Sequence, residues 1–170
     1  MSATKHLILI GFMGVGKSTV GKRVAHELGL PFYDNDQWVV EQASGMSIPR
    51  IFAEEKEEGF RKREITALTT ILGLEPGIAS TGGGYVSTEL GRKSLKDCGV
   101  PVVYLQLDFE TAAERVEADN ENVRPLFDNR ENALGLFTMR QDWYLEVATA
   151  IVDASRPLDV VAQELAKQVI

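Results

Sequence analysis

Apolar and polar residues alternate along this chain with two periods, and each change of period marks a new element. Short solid apolar runs read as strands buried on both faces: His6–Ile10, Pro31–Tyr33, Gly77–Ser80, Val100–Leu107 and Ala150–Asp153. Helical stripes fill the intervals. Val20, Val24 and Leu28 recur at i, i+4 and i+8 over Lys17–Leu28, and Gly29 stops them. A short helix follows over Gln37–Ala43. Ser47 caps the next one, with Pro49 in its first turn. Phe60 opens a helix that buries Ile65, Leu68, Ile71 and Leu72; Ser87–Cys98 is helical with Leu90 and Leu95 inward. Further helices run over Phe109–Ala118, Asn132–Ala148 and Leu158–Val169, the last with Val161, Leu165 and Val169 inward. A strand, a helix and a second strand make a βαβ unit, so the expected architecture is α/β, a parallel sheet between two helical layers.

Chemistry enters at the first switch of period. Gly11-Phe-Met-Gly14-Val15-Gly16-Lys17-Ser18-Thr19 fits G-x-x-x-x-G-K-[ST], between a strand and a helix as that motif requires. Its glycines let successive backbone N–H groups turn toward an anion. Lys17 adds a point charge for the β- and γ-phosphates, and the Ser18 hydroxyl suits a Mg²⁺ shell. A helix starting near Lys17 aims its positive dipole end at the same phosphates.

Three other stretches carry candidate chemistry. Asp34-x-Asp36 ends the second strand; in an extended segment both carboxylates face one side, toward the crevice where open α/β sheets bind ligands. They suit a hard cation and a hydroxyl nucleophile, against the plainer reading of a helix cap. Gly82-Gly83-Gly84 just past a strand has no packing use and suits close approach of a ligand to the backbone, against the plainer reading of a flexible turn before the next helix. Polar residues 119–129 interrupt the helical period and read as a lid, in which Arg124 is either a solvated cation or one that swings over phosphates. Arg61 and Glu64 share a helix face and on spacing alone read as a surface ion pair; Glu54–Glu58 reads as a solvated acidic face. Trp38, Trp143 and Tyr144 suit core or cleft wall equally.

Composition narrows the class. The 170 residues, 44 % hydrophobic, predict one domain over 1–170, with no internal repeat or linker. A net charge of −7 argues against nucleic-acid binding. Cys98 is the single cysteine, which excludes an intramolecular disulfide and points to a reducing compartment; it reads as a helix-end residue, and His6 as a strand-start residue. No apolar stretch approaches a membrane span. A cytoplasmic monomer without membrane or nucleic-acid partners is expected. The absence of Asn-Lys-x-Asp disfavours a guanine-nucleotide switch.

Taken in order, the phosphate loop (11–18), Asp34-x-Asp36, Phe60-Arg61-x-x-Glu64, Gly82-Gly83-Gly84, Arg124-Pro125-Leu126 and Arg140-x-x-x-Tyr144 make the chain resemble the shikimate kinase family over nearly its whole length. That resemblance implies a nucleoside-monophosphate-kinase-like fold: a three-layer αβα sandwich with a five-stranded parallel sheet, a substrate-binding helical region over about 35–64 and a lid. It implies transfer of the ATP γ-phosphoryl to the 3-hydroxyl of shikimate, in chorismate and aromatic amino acid biosynthesis, with ATP and Mg²⁺. Gly14, Val15, Gly16, Lys17, Ser18 and Thr19 would hold the nucleotide, with Arg124 over its phosphates and Arg156 along its adenine. Ser18 and Asp34 would hold the metal. Asp36 would bind the substrate hydroxyls and take the proton; Lys17 and Arg124 would share the catalytic work. Arg61 and Arg140 would clamp the carboxylate, with Gly82, Gly83 and Gly84 as the floor. The alternative is a kinase of the same fold acting on another hydroxylated acid such as gluconate. Three features depart from the family pattern, one of them the short span from Arg124 to Arg140. Lys56-Glu57 replaces the usual Gly-Glu before the Phe-Arg pair, and the lid begins with acidic residues, Arg115 being the nearest cation.

Overall fold

The computed structural model describes residues 5–119 and 125–169. Five strands, β1 (Leu7–Ile10), β2 (Phe32–Asp34), β3 (Ile78–Ser80), β4 (Val102–Gln106) and β5 (Ala150–Asp153), form one all-parallel sheet in the order β2-β3-β1-β4-β5. Seven helices alternate with them: α1 (Lys17–Leu28), α2 (Asn35–Gln42), α3 (Ile48–Leu72), α4 (Glu89–Asp97), α5 (Phe109–Ala118), α6 (Arg130–Val147) and α7 (Leu158–Val169). Leu7, Ile8, Leu9 and Ile10 are fully buried, as a solid apolar run at the centre of a covered sheet must be. α1 packs with α7, and α4 with α3 and α6; right-handed crossovers put these two groups on opposite faces. The expected three-layer αβα sandwich is what forms.

Local rules account for most boundaries. Gly29 ends α1 in the left-handed conformation at φ 65°, its N–H returning to Ala25 and His26 carbonyls. Ser47, Thr88, Asp108 and Asn129 cap α3, α4, α5 and α6 through their side-chain oxygens. His6 is buried, accepting from Gly77 N at Nδ1 and facing the Leu74 carbonyl through Nε2, so it fixes the start of the sheet. Cys98 is the C-cap of α4.

Four expectations need correction. α4 begins at Glu89, after a 3₁₀ turn over Tyr85–Ser87, which rotates Leu90 outward to 63 % exposure while Leu95 stays buried. α6 starts at Arg130 and not at the expected Asn132, because Asn129 supplies its cap. α2 starts at Asn35, because Asp34 is its cap. The two helices expected from Ser47 and from Phe60 abut as one element, α3, and the break between them falls at Lys56, whose φ of 63° and ψ of −179° are not helical. α2 and α3 enclose a small apolar cluster of their own, Val39, Ala43, Ile51, Phe60 and Ala67, beside the main core.

Candidate functional site

The loop after β1 makes the site's first wall. Gly14 and Gly16 have φ of 84° and 96°, open to glycine at little steric cost, and a Cβ at Gly14 would sit 2.6 Å from the Ala112 carbonyl. Gly16 is the N-cap of α1, and neither a side-chain cap nor an acidic residue serves that helix start. Its orphan N–H groups and dipole are therefore presented to the cleft, a ready anion site. Lys17 Nζ donates to the Gly11 and Phe12 carbonyls at 2.6 and 3.0 Å, which folds it back over the loop it serves.

A cleft of about 630 Å³ opens from this loop. Gly14–Thr19, Asp34, Asp36, Gly82, Gly83 and Arg156 all line it, as expected of a common site. The acidic pair arrives there differently from the sequence expectation. Only Asp34 is in extended backbone; its Oδ1 caps α2, accepting from Asp36 N at 3.0 Å and Gln37 N at 3.4 Å. Asp36 lies in the first turn of α2. The cap reading and the cleft reading are thus both true of Asp34, and the helix rather than strand alternation orients Asp36.

The substrate-side residues pack more tightly than spacing suggests. Arg61 and Glu64 are not a surface pair: they are 8 % and 1 % exposed, and Arg61 Nη1 donates to Glu64 Oε2 at 2.8 Å. Burial raises the Glu64 carboxyl to about 7, with Arg61 pulling the other way and Asp36 adding to the rise. Its Oε1 has no hydrogen-bond partner among the described residues. Glu54, Glu57 and Glu58 are exposed, as expected of the acidic face, yet Glu57 still accepts from Arg61 Nε and Nη2 at 3.3 and 3.2 Å. The triple glycine does have a packing use. A Cβ at Gly82 would lie 2.9 Å from Glu64 Oε1 and 3.0 Å from Asp36 Oδ1, and one at Gly84 would overlap the Arg61 guanidinium. These glycines make room for the chain's own charged side chains.

Arg140 completes this corner. It projects from α6, 7 % exposed, over the Phe12 ring at 5.9 Å. Among the described residues no carboxylate forms an ion pair with it, and its Nε lacks a partner. Burial lowers its pKa first of all, and Arg61 repels it. Tyr144, one turn on, donates from Oη to the Gly83 carbonyl at 2.6 Å; burial pushes its pKa up. Tyr144 is therefore a wall residue that fixes the glycine floor.

Sequence reasoning passed over Arg115 as a site residue. It spans from the Val15 carbonyl to the Ala154 carbonyl, both at 3.2 Å, and lines the cleft beside Arg156, which pairs with Glu164. Its place one turn before a suspected lid was the available signal. Arg124, and lid residues 120–124 with it, lie outside the described residues; the lid's later part, Pro125–Asp128, is a 3₁₀ turn.

Comparison with known proteins agrees with this geometry. A family model described as shikimate kinase matches residues 13–170. A shikimate kinase of Thioalkalivibrio sulfidiphilus is 39 % identical over 171 residues, covering 98 % of this chain and 88 % of its own. The solved structure of a shikimate kinase from Acinetobacter baumannii in complex with shikimate superposes with a TM-score of 0.81 at 32 % identity, over 97 % of this chain and 90 % of that one. A gluconokinase from Sinorhizobium meliloti, 20 % identical with a TM-score of 0.71 over 98 % of this chain and 91 % of that one, shares the fold alone.

Proposed function

We propose a function from one premise: this chain belongs to the shikimate kinase family. Its reaction is transfer of the ATP γ-phosphoryl to the 3-hydroxyl of shikimate, giving shikimate 3-phosphate and ADP. The observation that carries the substrate reading is the pair of buried guanidinium groups, Arg61 and Arg140; neither lines the cleft itself, but Arg140 lies beside Gly83 of its floor and Arg61 beside the adjoining Gly84. Arg61 already has Glu57 and Glu64, whereas no carboxylate pairs with Arg140 among the described residues, so the corner is one anion short, and planar guanidinium forks match a carboxylate.

In this reading the acid's carboxylate lies between Arg61 and Arg140, over the floor of Gly82, Gly83 and Gly84. Its ring hydroxyls then meet Asp36. Asp36 aligns the 3-hydroxyl with the γ-phosphoryl and accepts its proton as the new P–O bond forms and the bond to the ADP oxygen breaks. Lys17, the α1 N-terminus and Arg124 neutralise charge on the transferring group. Val15, Thr19, Arg115 and Arg156 flank the remainder of the nucleotide. Among the described residues no cluster of three His, Cys, Asp or Glu side chains forms a cage, and the donors in the cleft are a hydroxyl and carboxylates. That set fits Mg²⁺, which keeps waters and takes most ligands from phosphates. Ser18 and Asp34 would hold it, Asp34 through the oxygen not used as the α2 cap. Bound there, Mg²⁺ would withdraw charge from the phosphate oxygens.

We further assign the chain to one domain over 1–170, acting as a monomer in the cytoplasm; no helix among the described residues is long and apolar enough to cross a membrane. The deciding experiment is ADP release from MgATP with shikimate, gluconate or nucleoside monophosphates as acceptor, beside a no-acceptor control. Turnover with shikimate alone is expected. Preference for gluconate would retain the phosphate site and overturn the roles of Arg61 and Arg140.

A further inference from the structure

Lys56 holds a backbone conformation, φ 63° and ψ −179°, that belongs almost wholly to glycine. Only Ser44 shares a positive φ among the described non-glycine residues. Such a conformation persists where its surroundings over-determine it, and two features do so here. The Glu55 carboxylate reaches across the bend to Arg63, two-pronged: Nε to Oε2 at 2.8 Å and Nη2 to Oε1 at 2.6 Å. In an unbroken helix residues eight apart are separated by roughly 12 Å along the axis, so this fork needs the bend. Gly59 lets the two limbs approach, since a Cβ there would sit 2.5 Å from Glu55 Cβ.

The bend sets the position of Glu57, the next residue, which holds Arg61 by two hydrogen bonds. Arg61 is otherwise fixed by Glu64 and by the flat face of Gly84. We propose that Glu55 and Arg63 form a clasp that holds Lys56 in its strained turn and so keeps Glu57 against Arg61, making both positioning residues for binding of the substrate's carboxylate. This rests on the shikimate reading above. If Lys56 relaxes to a helical conformation, Glu57 leaves Arg61, and the fraction of molecules competent for the acid falls; the apparent affinity falls by the same factor. Neither clasp residue reaches the cleft, so nucleotide binding and the chemical step are untouched.

The test is a cycle of Arg63→Met, Lys56→Gly and their combination, with Glu55→Gln as a second route to the same loss. Arg63→Met and Glu55→Gln are each expected to raise the KM for shikimate about five- to tenfold, with kcat and the KM for ATP within twofold. Lys56→Gly alone is expected to leave the shikimate KM unchanged and to raise the Tm of the unliganded protein. In the Lys56→Gly background, where the turn needs no restraint, Arg63→Met is expected to change KM by less than twofold. An unchanged KM in Arg63→Met, or the same rise in both backgrounds, overturns the proposal. If the unmodified protein fails to turn over shikimate, the functional reading has failed, and the clasp is judged on the unliganded melts. There the Tm loss on Arg63→Met is expected to be several degrees smaller with Lys56→Gly present; equal losses overturn it.

Discussion

Replacing Arg140 with Met should stabilise the empty protein while damaging recognition of the acid, two effects of opposite sign from one side chain. Arg140 is 7 % exposed, is repelled by Arg61, and has no ion-paired carboxylate among the described residues. Replacing a buried charge by an apolar side chain of similar volume is commonly neutral or stabilising by about 1–4 kcal/mol. The low end applies here, because Glu57 and Glu64 lie near enough to favour its charge in part. A gain of about 1 kcal/mol in a chain this long raises Tm by about 2–4 °C. Binding moves the other way. A carboxylate that loses two charge-assisted hydrogen bonds, at about 1.5 kcal/mol each on the conservative side, loses about 3 kcal/mol, or roughly 150-fold in KM. The assay pairs thermal melts without ligand and steady-state kinetics in shikimate at fixed MgATP. Added shikimate should raise the Tm of the unmodified protein and leave that of the variant in place. A melt several degrees lower with an unchanged KM would refute the reasoning and make Arg140 a structural strut.

Three other expectations follow from the same corner. Asp36→Asn should lower kcat by about 10²–10⁴-fold, the usual range for a lost general base, with ATP affinity kept within a few-fold; comparable loss of ATP binding by calorimetry would place Asp36 in the nucleotide site instead. Glu64, raised from 4.5 to about 7 by burial, contributes stability that is full below its unfolded pKa and is lost as pH rises through about 7. Glu64→Gln removes that loss, so the variant's advantage in urea unfolding should grow by about 3 kcal/mol between about pH 5 and pH 8, and a pH-independent difference would contradict it. Tyr144→Phe frees the Gly83 carbonyl and should cost about 1 kcal/mol in unfolding with a several-fold higher shikimate KM, where an unchanged KM would separate Tyr144 from the floor's position.

The sheet and most helix limits were legible in the chain because local rules set them. Four apolar residues before a glycine loop cannot avoid the sheet centre, and Gly29, Ser47 and Leu158–Val169 mark their limits plainly. The nucleotide half of the site was equally plain, since its chemistry sits in one contiguous loop. The substrate half was not. Spacing put Arg61 near Glu64 but carries no information on depth, and the burial of that pair is decided by Gly84 and α6, distant in sequence. Strand alternation gave the right place for Asp36 for the wrong reason, as the Asp34 cap shows. Arg115 escaped because its role depends on reaching two carbonyls from separate loops. The bend at Lys56 has no signal in helix propensity, since a lysine amid glutamates spells helix; the one pointer was that Lys56 stands where the resembled family has glycine, and the Gly59 approach and the Arg63 fork accompany the bend.

The small cluster of Val39, Ala43, Ile51, Phe60 and Ala67 ties α2 and the first limb of α3 to the second limb, apart from the core beneath the sheet. Elements resting on so few apolar side chains open at lower free energy than the strands, so amide exchange should divide the molecule into two protection classes. Glu57, which holds Arg61, sits at the edge of the quicker class, whereas α6, which carries Arg140, and the β1 strand that launches the phosphate loop belong to the slower. Affinity for the acid can therefore drift by surface substitutions on these two helices while the phosphate cradle stays rigid. In such a molecule, adaptation to a new acceptor would begin in the helices and leave the sheet as it is.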